Sequence, residues 1–275
     1  MRKNNFYFIP AFILAAFALL SVDTARAQGD LMVIPTRVVL ESSKRFETLT
    51  VLNRGTDSAQ YTISFIQYRM TEKGELQEIT VAEAGANIAS EIVRFFPKQV
   101  FLAPGESQTV RVQVSKPEGL ANGEYRSHLY FRNVPKDERS ASTGSDTSAL
   151  SVRLTPVFGV SVPVIVRHGE LTATAKISSP RVVETPTSKQ LQFVLERDGN
   201  RSVYGDITME LRSANGEKTS VGGIKGVSVY TPISKREVAL PINIGPNDKG
   251  TLIVTYKQKV DGRETILAET ELNIP

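Results

Sequence analysis

The side chains that carry most enzyme chemistry are scarce in this 275-residue chain, which has no cysteine and two histidines. Without cysteine there is no thiolate nucleophile and no thiolate metal site. His128 lies in "YRSHLYF", where alternation predicts a strand and a packed structural role, and His168 follows a long alternating run and reads as a junction residue. The chain contains no Gly-Lys-Ser phosphate loop, no HExxH and no G-x-S-x-G; these motifs would place a phosphate cradle, a zinc site or a nucleophile. The carboxylates of "SDTS" and "NDKG" sit where turn propensity alone accounts for them. No catalytic residue, cofactor or metal ligand is therefore assigned, and the chain is not read as an enzyme. One charged residue stands out. Arg37 lies in "MVIPTRVVLESS", within a run otherwise rich in Val, Ile and Leu. It could simply face water from a half-buried strand. If that strand borders a cleft, its guanidinium can hold a carboxylate through two parallel hydrogen bonds.

The element that draws most attention is "LSVRLTPVFGVSVPVIVR", residues 150–167, in which every even position is apolar. A period of two marks a β-strand with one face in an apolar environment. A typical strand has about five or six residues, so this run is roughly three strands long. Val164, Ile165 and Val166 are consecutive and read as core, buried on both sides. Val152, Leu154, Pro156 and Phe158 outrun any plausible sheet partner and read as an exposed apolar edge. The preceding segment, 135–149, holds beyond Pro135 no apolar residue larger than alanine, which predicts a mobile loop.

The rest of the chain supplies the frame for these residues. After the N-terminus, helical periodicity is almost absent. Strands are predicted at Leu31–Leu40, Glu47–Asn53, Ala59–Tyr68, Ile88–Phe96, Ser107–Val114, Glu124–Asn133 and Leu150–Arg167. Turns fall at "NRGTDS", "TEKGEL" and "LAPGES". After "RHGE" the pattern restarts, with strands predicted at Leu171–Ile177, Leu191–Glu196, Asp206–Leu211, Gly226–Tyr230, Glu237–Ile242, Thr251–Gln258 and Thr265–Leu272. This is an all-β pattern of two immunoglobulin-like β-sandwiches, 28–167 and 168–275. The connection at 168–170 is short, so they should meet at a fixed angle with a cleft between them.

Residues 1–27 read as a cleaved secretory signal: Arg2 and Lys3, an apolar stretch from Phe6 to Leu20, and Ala25-Arg26-Ala27 before the cut. The apolar stretch falls short of the ~20 residues that span a bilayer. Loss of this segment removes Arg2, Lys3 and Arg26 against Asp23, which takes the net charge from +4 to +2. The remaining cations are interspersed with acids, so neither a nucleic-acid groove nor a lipid-binding patch is expected. A secreted chain without cysteine must be stabilised by its apolar cores, which sandwiches of ~100 residues can supply.

Four stretches together resemble the periplasmic chaperones of pilus assembly, the PapD-like chaperone–usher family, as a divergent branch. They are "IPTRVVLESSKRFETLTVLNRGTDSAQYTI", "FFPKQVFLAPGESQTVRVQV", "EYRSHLYFRNVP" and the 150–167 run ending "VIVR". The resemblance covers residues 31–168 well and the second half loosely. It implies a chaperone that lends an edge strand to a pilus subunit lacking its last strand, then delivers the subunit to an outer-membrane usher. Donation of a strand edge with alternate side chains seated in pockets is a known mode of recognition. On this resemblance Val152, Leu154, Pro156 and Phe158 match the donor positions. Arg37 matches the cleft residue that anchors the subunit's C-terminal carboxylate, and Arg167 matches a junction arginine that fixes the interdomain angle. Three departures are evident, one being that Pro156 lacks an N–H and must break one ladder bond, either to the chaperone's own sheet or to the client. Pro163 stands where the family has a second cleft cation, a lysine, and Arg126 stands where it has the acid that pairs with the junction arginine. An exposed edge also offers self-association. The readings set against the chaperone are a two-domain immunoglobulin-like envelope or adhesion protein without a client and, last, a pilus subunit itself.

Overall fold

The computed structural model describes residues 31–41, 43–80, 87–135, 157–186, 188–260 and 262–275. The expected signal at 1–27 lies outside them, as do Val152, Leu154 and Pro156 and all of the expected loop at 135–149 except Pro135.

Strands β1 to β6 are Leu31–Ile34, Val38–Leu40, Phe46–Asn53, Ala59–Ile66, Tyr68–Met70 and Leu76–Glu78. A 3-10 turn at Ala89–Glu91 precedes β7 (Val93–Phe96), β8 (Gln99–Leu102), β9 (Ser107–Val114), β10 (Gly123–Val134) and β11 (Gly159–His168). In the second half, β12 to β15 are Ala173–Glu184, Lys189–Gly199, Val203–Arg212 and Lys218–Val229. The last three, β16 to β18, are Lys235–Ile242, Gly250–Val260 and Arg263–Ile274.

These elements stack as two sandwiches. In the first, a sheet ordered β1-β3-β9-β7 faces one ordered β2-β11-β10-β4-β8. In the second, β12-β13-β16 faces β15-β14-β17-β18. Alternating burial drives this arrangement: in β9, Val110, Val112 and Val114 are buried while Thr109, Arg111 and Gln113 face water. The first core is centred on Leu40, Leu49, Tyr61, Leu102, Leu129 and Phe131. The second is centred on Leu191, Leu195, Ile207, Met209 and Tyr256. Each such side chain, once buried, contributes about 1.5–3 kcal/mol, which explains how a chain without disulfides holds two separate cores.

Four details depart from the sequence-based expectation. The predicted strand Leu31–Leu40 is interrupted at Pro35–Arg37, so β1 joins one sheet and β2 the other. Proline has no N–H to continue a ladder, and the break lets one segment close the edges of both sheets. The predicted strand Ile88–Phe96 begins instead as the 3-10 turn. Short β8, hydrogen-bonded to β4, was not expected. Strand β15 extends back to Lys218 through Gly222 and Gly223, with two register shifts against β14. Gly222 and Gly223 here belong to a bulged strand.

Candidate functional site

Strand β11 occupies a split position. One side pairs along its whole length with β10, from Gly159↔Arg132 to His168↔Gly123. The other side meets parallel β2 only at Val164, Ile165 and Val166. From Gly159 to Pro163 that second side has no strand partner among the described residues. The phase of its hydrogen bonds follows from one contact: the Asn133 N–H donates to the Phe158 carbonyl at 2.9 Å. In an antiparallel pair, hydrogen-bonded positions alternate with non-bonded ones. Even-numbered residues of β11 therefore turn their backbone groups toward β10, and Gly159 and Ser161 turn theirs to the open edge. Pro163 would face the same edge, where its missing N–H removes nothing from the β10 ladder.

The side chains of β11 alternate in the other direction. Val162, Val164 and Val166 enter the first core, with Val160 packed against it. The expectation that Val164–Val166 are buried on both sides holds, because Ile165 points away from that core into a separate cluster with Met70 and Tyr230. Phe158, just before the strand, is 52 % exposed.

The outward face of the β2-β11-β10 sheet forms one wall of the cleft. The registers place Val39, Ile165 and Arg126 abreast, and Pro163 beside His128. Arg37 immediately precedes β2, at the level of Pro163. The opposite wall comes from the second sandwich. Tyr230, at the end of β15, accepts a hydrogen bond from Arg37 Nη1 at 2.9 Å. The Arg37 guanidinium carbon lies 4.4 Å from the centre of the Tyr204 ring and 5.4 Å from that of Tyr230. Arg126 stacks on Tyr230 as well, at 4.3 Å. Cation–π contacts of this kind strengthen when water is excluded. Arg37 thus lies in the cleft, in the setting that makes an isolated strand arginine useful.

His128, read as a packed strand residue, is buried at 1 % exposure. Tyr68 meets it edge-on at 4.9 Å and Tyr230 at 6.5 Å. Burial, followed by the positive charges of Arg126 and Arg37, pushes its pKa down to about 3. It is neutral near pH 7 and is a wall of the cleft, not a proton carrier.

Lower in the cleft, Arg167 has the acidic partners that the sequence left unnamed. Its Nε donates to Glu124 Oε2 at 3.1 Å and its Nη1 to Glu41 Oε2 at 2.9 Å. These carboxylates raise its pKa against the opposing effect of burial. The Glu124 side chain is fully buried, and its second oxygen accepts the backbone N–H of Ser202, from the second sandwich, at 3.1 Å. Hairpin β5–β6 adds a second tie: the Glu237 N–H donates to the Glu72 carbonyl at 2.6 Å, and Lys235 meets Glu72 at 3.4 Å.

Glu124, Arg126, Tyr204 and Tyr230 were not legible as site residues in the sequence. A signal existed for the first two: Glu124, Arg126 and His128 alternate along one face of a strand whose other face is, apart from Ser127, apolar or aromatic. Nothing in the spacing indicated that a distant pair of tyrosines would cover that face.

No protein-family model matches the chain, and no curated protein matches it. Solved structures similar in arrangement include the YadV chaperone, at 11 % identity and a TM-score of 0.45 over 89 % of this chain and 100 % of that one. Another is the CsuC–CsuE chaperone–tip adhesion subunit pre-assembly complex of archaic chaperone–usher Csu pili from Acinetobacter baumannii, at 11 % identity, a TM-score of 0.44, and 88 % and 97 % coverage. The E. coli chaperone DraB is similar at 15 % identity, with a TM-score of 0.41 and 90 % and 97 % coverage.

Proposed function

We propose that this protein is a periplasmic chaperone that completes a strand-deficient pilus or fimbrial subunit with the open edge of β11. The observation that carries this reading is the half-paired strand: Gly159 and Ser161 turn backbone donors and acceptors to an edge that β2 covers only from Val164 onward. Arg37 lies at the foot of that edge. In this reading a subunit strand pairs along the edge, and Phe158, with Val152, Leu154 and Pro156 before it, seats in the subunit's open core. The subunit's terminal carboxylate reaches Arg37, which sets the register of pairing. Arg167 holds the angle between an N-terminal unit of 28–167 and a C-terminal unit of 168–275. Residues 1–27 direct export, and an outer-membrane usher receives the loaded subunit. Among the described residues no helix is long and apolar enough to cross a membrane.

Co-expression with a candidate pilus subunit tests the proposal. The subunit should stay soluble only when this protein is present, and Phe158→Asp or Arg37→Ala should abolish that recovery. Undiminished recovery with both variants overturns this binding site, and equal recovery without the protein overturns the chaperone reading and favours an envelope protein without a client.

A further inference from the structure

Strand β11 carries a glycine at the start of its open edge, and a tyrosine from β10 lies across it. Tyr130 is paired with Ser161, and Arg132 with Gly159. Tyr130 and Gly159 are therefore diagonal neighbours, on the face of the sheet that also carries Arg126 and His128. Diagonal neighbours lie about 7–8 Å apart, within reach of an aromatic side chain. A Cβ placed on Gly159 would stand 2.3 Å from Tyr130 Cε2 and 2.5 Å from its Cζ and Oη. The tip of the ring fills the place of the missing side chain. Gly159 does not have a left-handed φ, so the approach of the ring, not backbone conformation, calls for glycine here. Tyr68 keeps the ring in this direction. It is hydrogen-bonded to the Ser161 side chain and lies within electrostatic reach of the Tyr130 phenol. Its own ring is set edge-on against His128 at 4.9 Å. With the Ser161 side taken by Tyr68, the Gly159 side is the one left to Tyr130.

An aromatic ring over a strand glycine serves the sheet by restoring a lost cross-strand contact. The position of this ring gives it a second use. Gly159 turns its backbone groups to an edge that has no strand partner among the described residues. A strand added there would lie about 4.8 Å away, and its residue opposite Gly159 would bring a Cβ to about 5 Å from the place of the absent one. Three atoms of Tyr130 are within 2.5 Å of that same place. The incoming side chain meets the tyrosine, not the glycine. Arg132, abreast of Gly159 and exposed, disfavours a cation there. The bare backbone at 159 leaves a ledge that a flat apolar side chain fills and a small one does not.

We propose that Tyr130 is a subunit-contacting residue: across Gly159 it reads the subunit side chain paired opposite, and it favours a large apolar one, aromatic above all. This rests on the reading of the β11 edge as the seat of a subunit strand. It adds a contact that the edge strand alone does not make, since Tyr130 belongs to the next strand in.

Photo-crosslinking in cells that co-express a candidate pilus subunit tests this. p-Benzoylphenylalanine in place of Tyr130 should give a covalent adduct with the subunit. The same group in place of Phe101, 63 % exposed on β8 at the far end of the sheet, should give none. Mass spectrometry should map the adduct to one strand residue of the subunit, large and apolar; a small or charged residue there overturns the stated preference. Tyr130→Ser should lower subunit recovery about fivefold, with Tyr130→Phe retaining it within about twofold. Gly159→Ala, whose Cβ displaces the ring, should match the loss. The double variant should be no worse than Tyr130→Ser alone, because the two residues act as one unit; losses that multiply overturn that pairing. If position 130 gives no adduct while Phe158→Asp still abolishes recovery, the role of Tyr130 is overturned and the β11 edge stands. Recovery indifferent to Tyr130→Ser and Phe158→Asp alike overturns both. Should Tyr130→Ser fail to fold, the adduct decides.

Discussion

His128 shows how a residue that would suit catalysis becomes structural through its surroundings. The ring is enclosed by Tyr68 and Tyr230, and the nearby charges are the guanidiniums of Arg126 and Arg37. An imidazolium there would be both desolvated and repelled. The sign of the consequence follows from linkage. An unfolded chain takes up the histidine proton near pH 6.5, and the folded one resists until about pH 3. The contribution to stability is complete above pH 6.5 and is lost as pH falls toward 3, by roughly 1.4 kcal/mol per pH unit. His128→Phe keeps a ring between the tyrosines and removes the proton. Urea unfolding at pH 7, 5 and 4 should therefore give a flatter stability profile for the variant. Parallel profiles for the two proteins would show that His128 does not titrate in this way. Arg37 was legible as an odd cation in an apolar run. Its partners were not, because Tyr204 and Tyr230 lie far along the chain and reach it only through docking of the second sandwich.

Strand β11 is the element in which sequence pattern and function meet most directly. Its alternation correctly indicated an apolar face, and the consecutive Val164–Ile165–Val166 indicated burial on both sides. Which residues present backbone groups to an open edge depends on the register with β10, and no pattern of side chains encodes that. The register makes a sharp forecast. Ser161 turns its N–H to the open edge, so Ser161→Pro should leave the β10 ladder intact, as proline is tolerated on strand edges whose N–H faces outward. Thermal unfolding should change by only a few degrees, while recovery of a co-expressed subunit falls sharply. Loss of fold would indicate that the Ser161 N–H is already engaged; full retention of subunit recovery would indicate that the edge does not pair with it. Strand β2 and the break before it show the limit of periodicity. The apolar run Leu31–Leu40 looked continuous, yet Pro35 divides it between two sheets, and the shortness of β2 is what leaves the edge open among the described residues.

At the scale of the whole molecule, the contacts that join the two sandwiches include the Met70–Ile165–Tyr230 cluster, Arg37 and Arg126 against Tyr204 and Tyr230, the hairpin at Glu72 and the Glu124 bridge from Arg167 to Ser202. The last joins a buried carboxylate on the first sandwich to a backbone donor on the second, and so couples the two cores. Breaking a buried ion pair by removing one partner commonly costs ~3–5 kcal/mol. Glu124→Gln should cost less, about 2–3 kcal/mol, since Glu41 still pairs with Arg167 and an amide can still accept from Ser202. The expected calorimetric result is a lowered first transition that separates from the second. A single endotherm at the original temperature would show that Glu124 contributes little to coupling the sandwiches.

The sequence by itself determined the all-β class, the number of sandwiches, the lack of thiol chemistry and the apolar ridge before the junction. These are local or compositional properties, read from a period of two, from turn residues and from counts. Only the tertiary structure decided that Arg37, Arg126 and His128 share a cleft with Tyr204 and Tyr230, that Arg167 finds Glu124, and that β2 stops short along β11. Each depends on strand register and on the docking of two cores, which are set by the sum of many weak contacts between residues far apart in the chain.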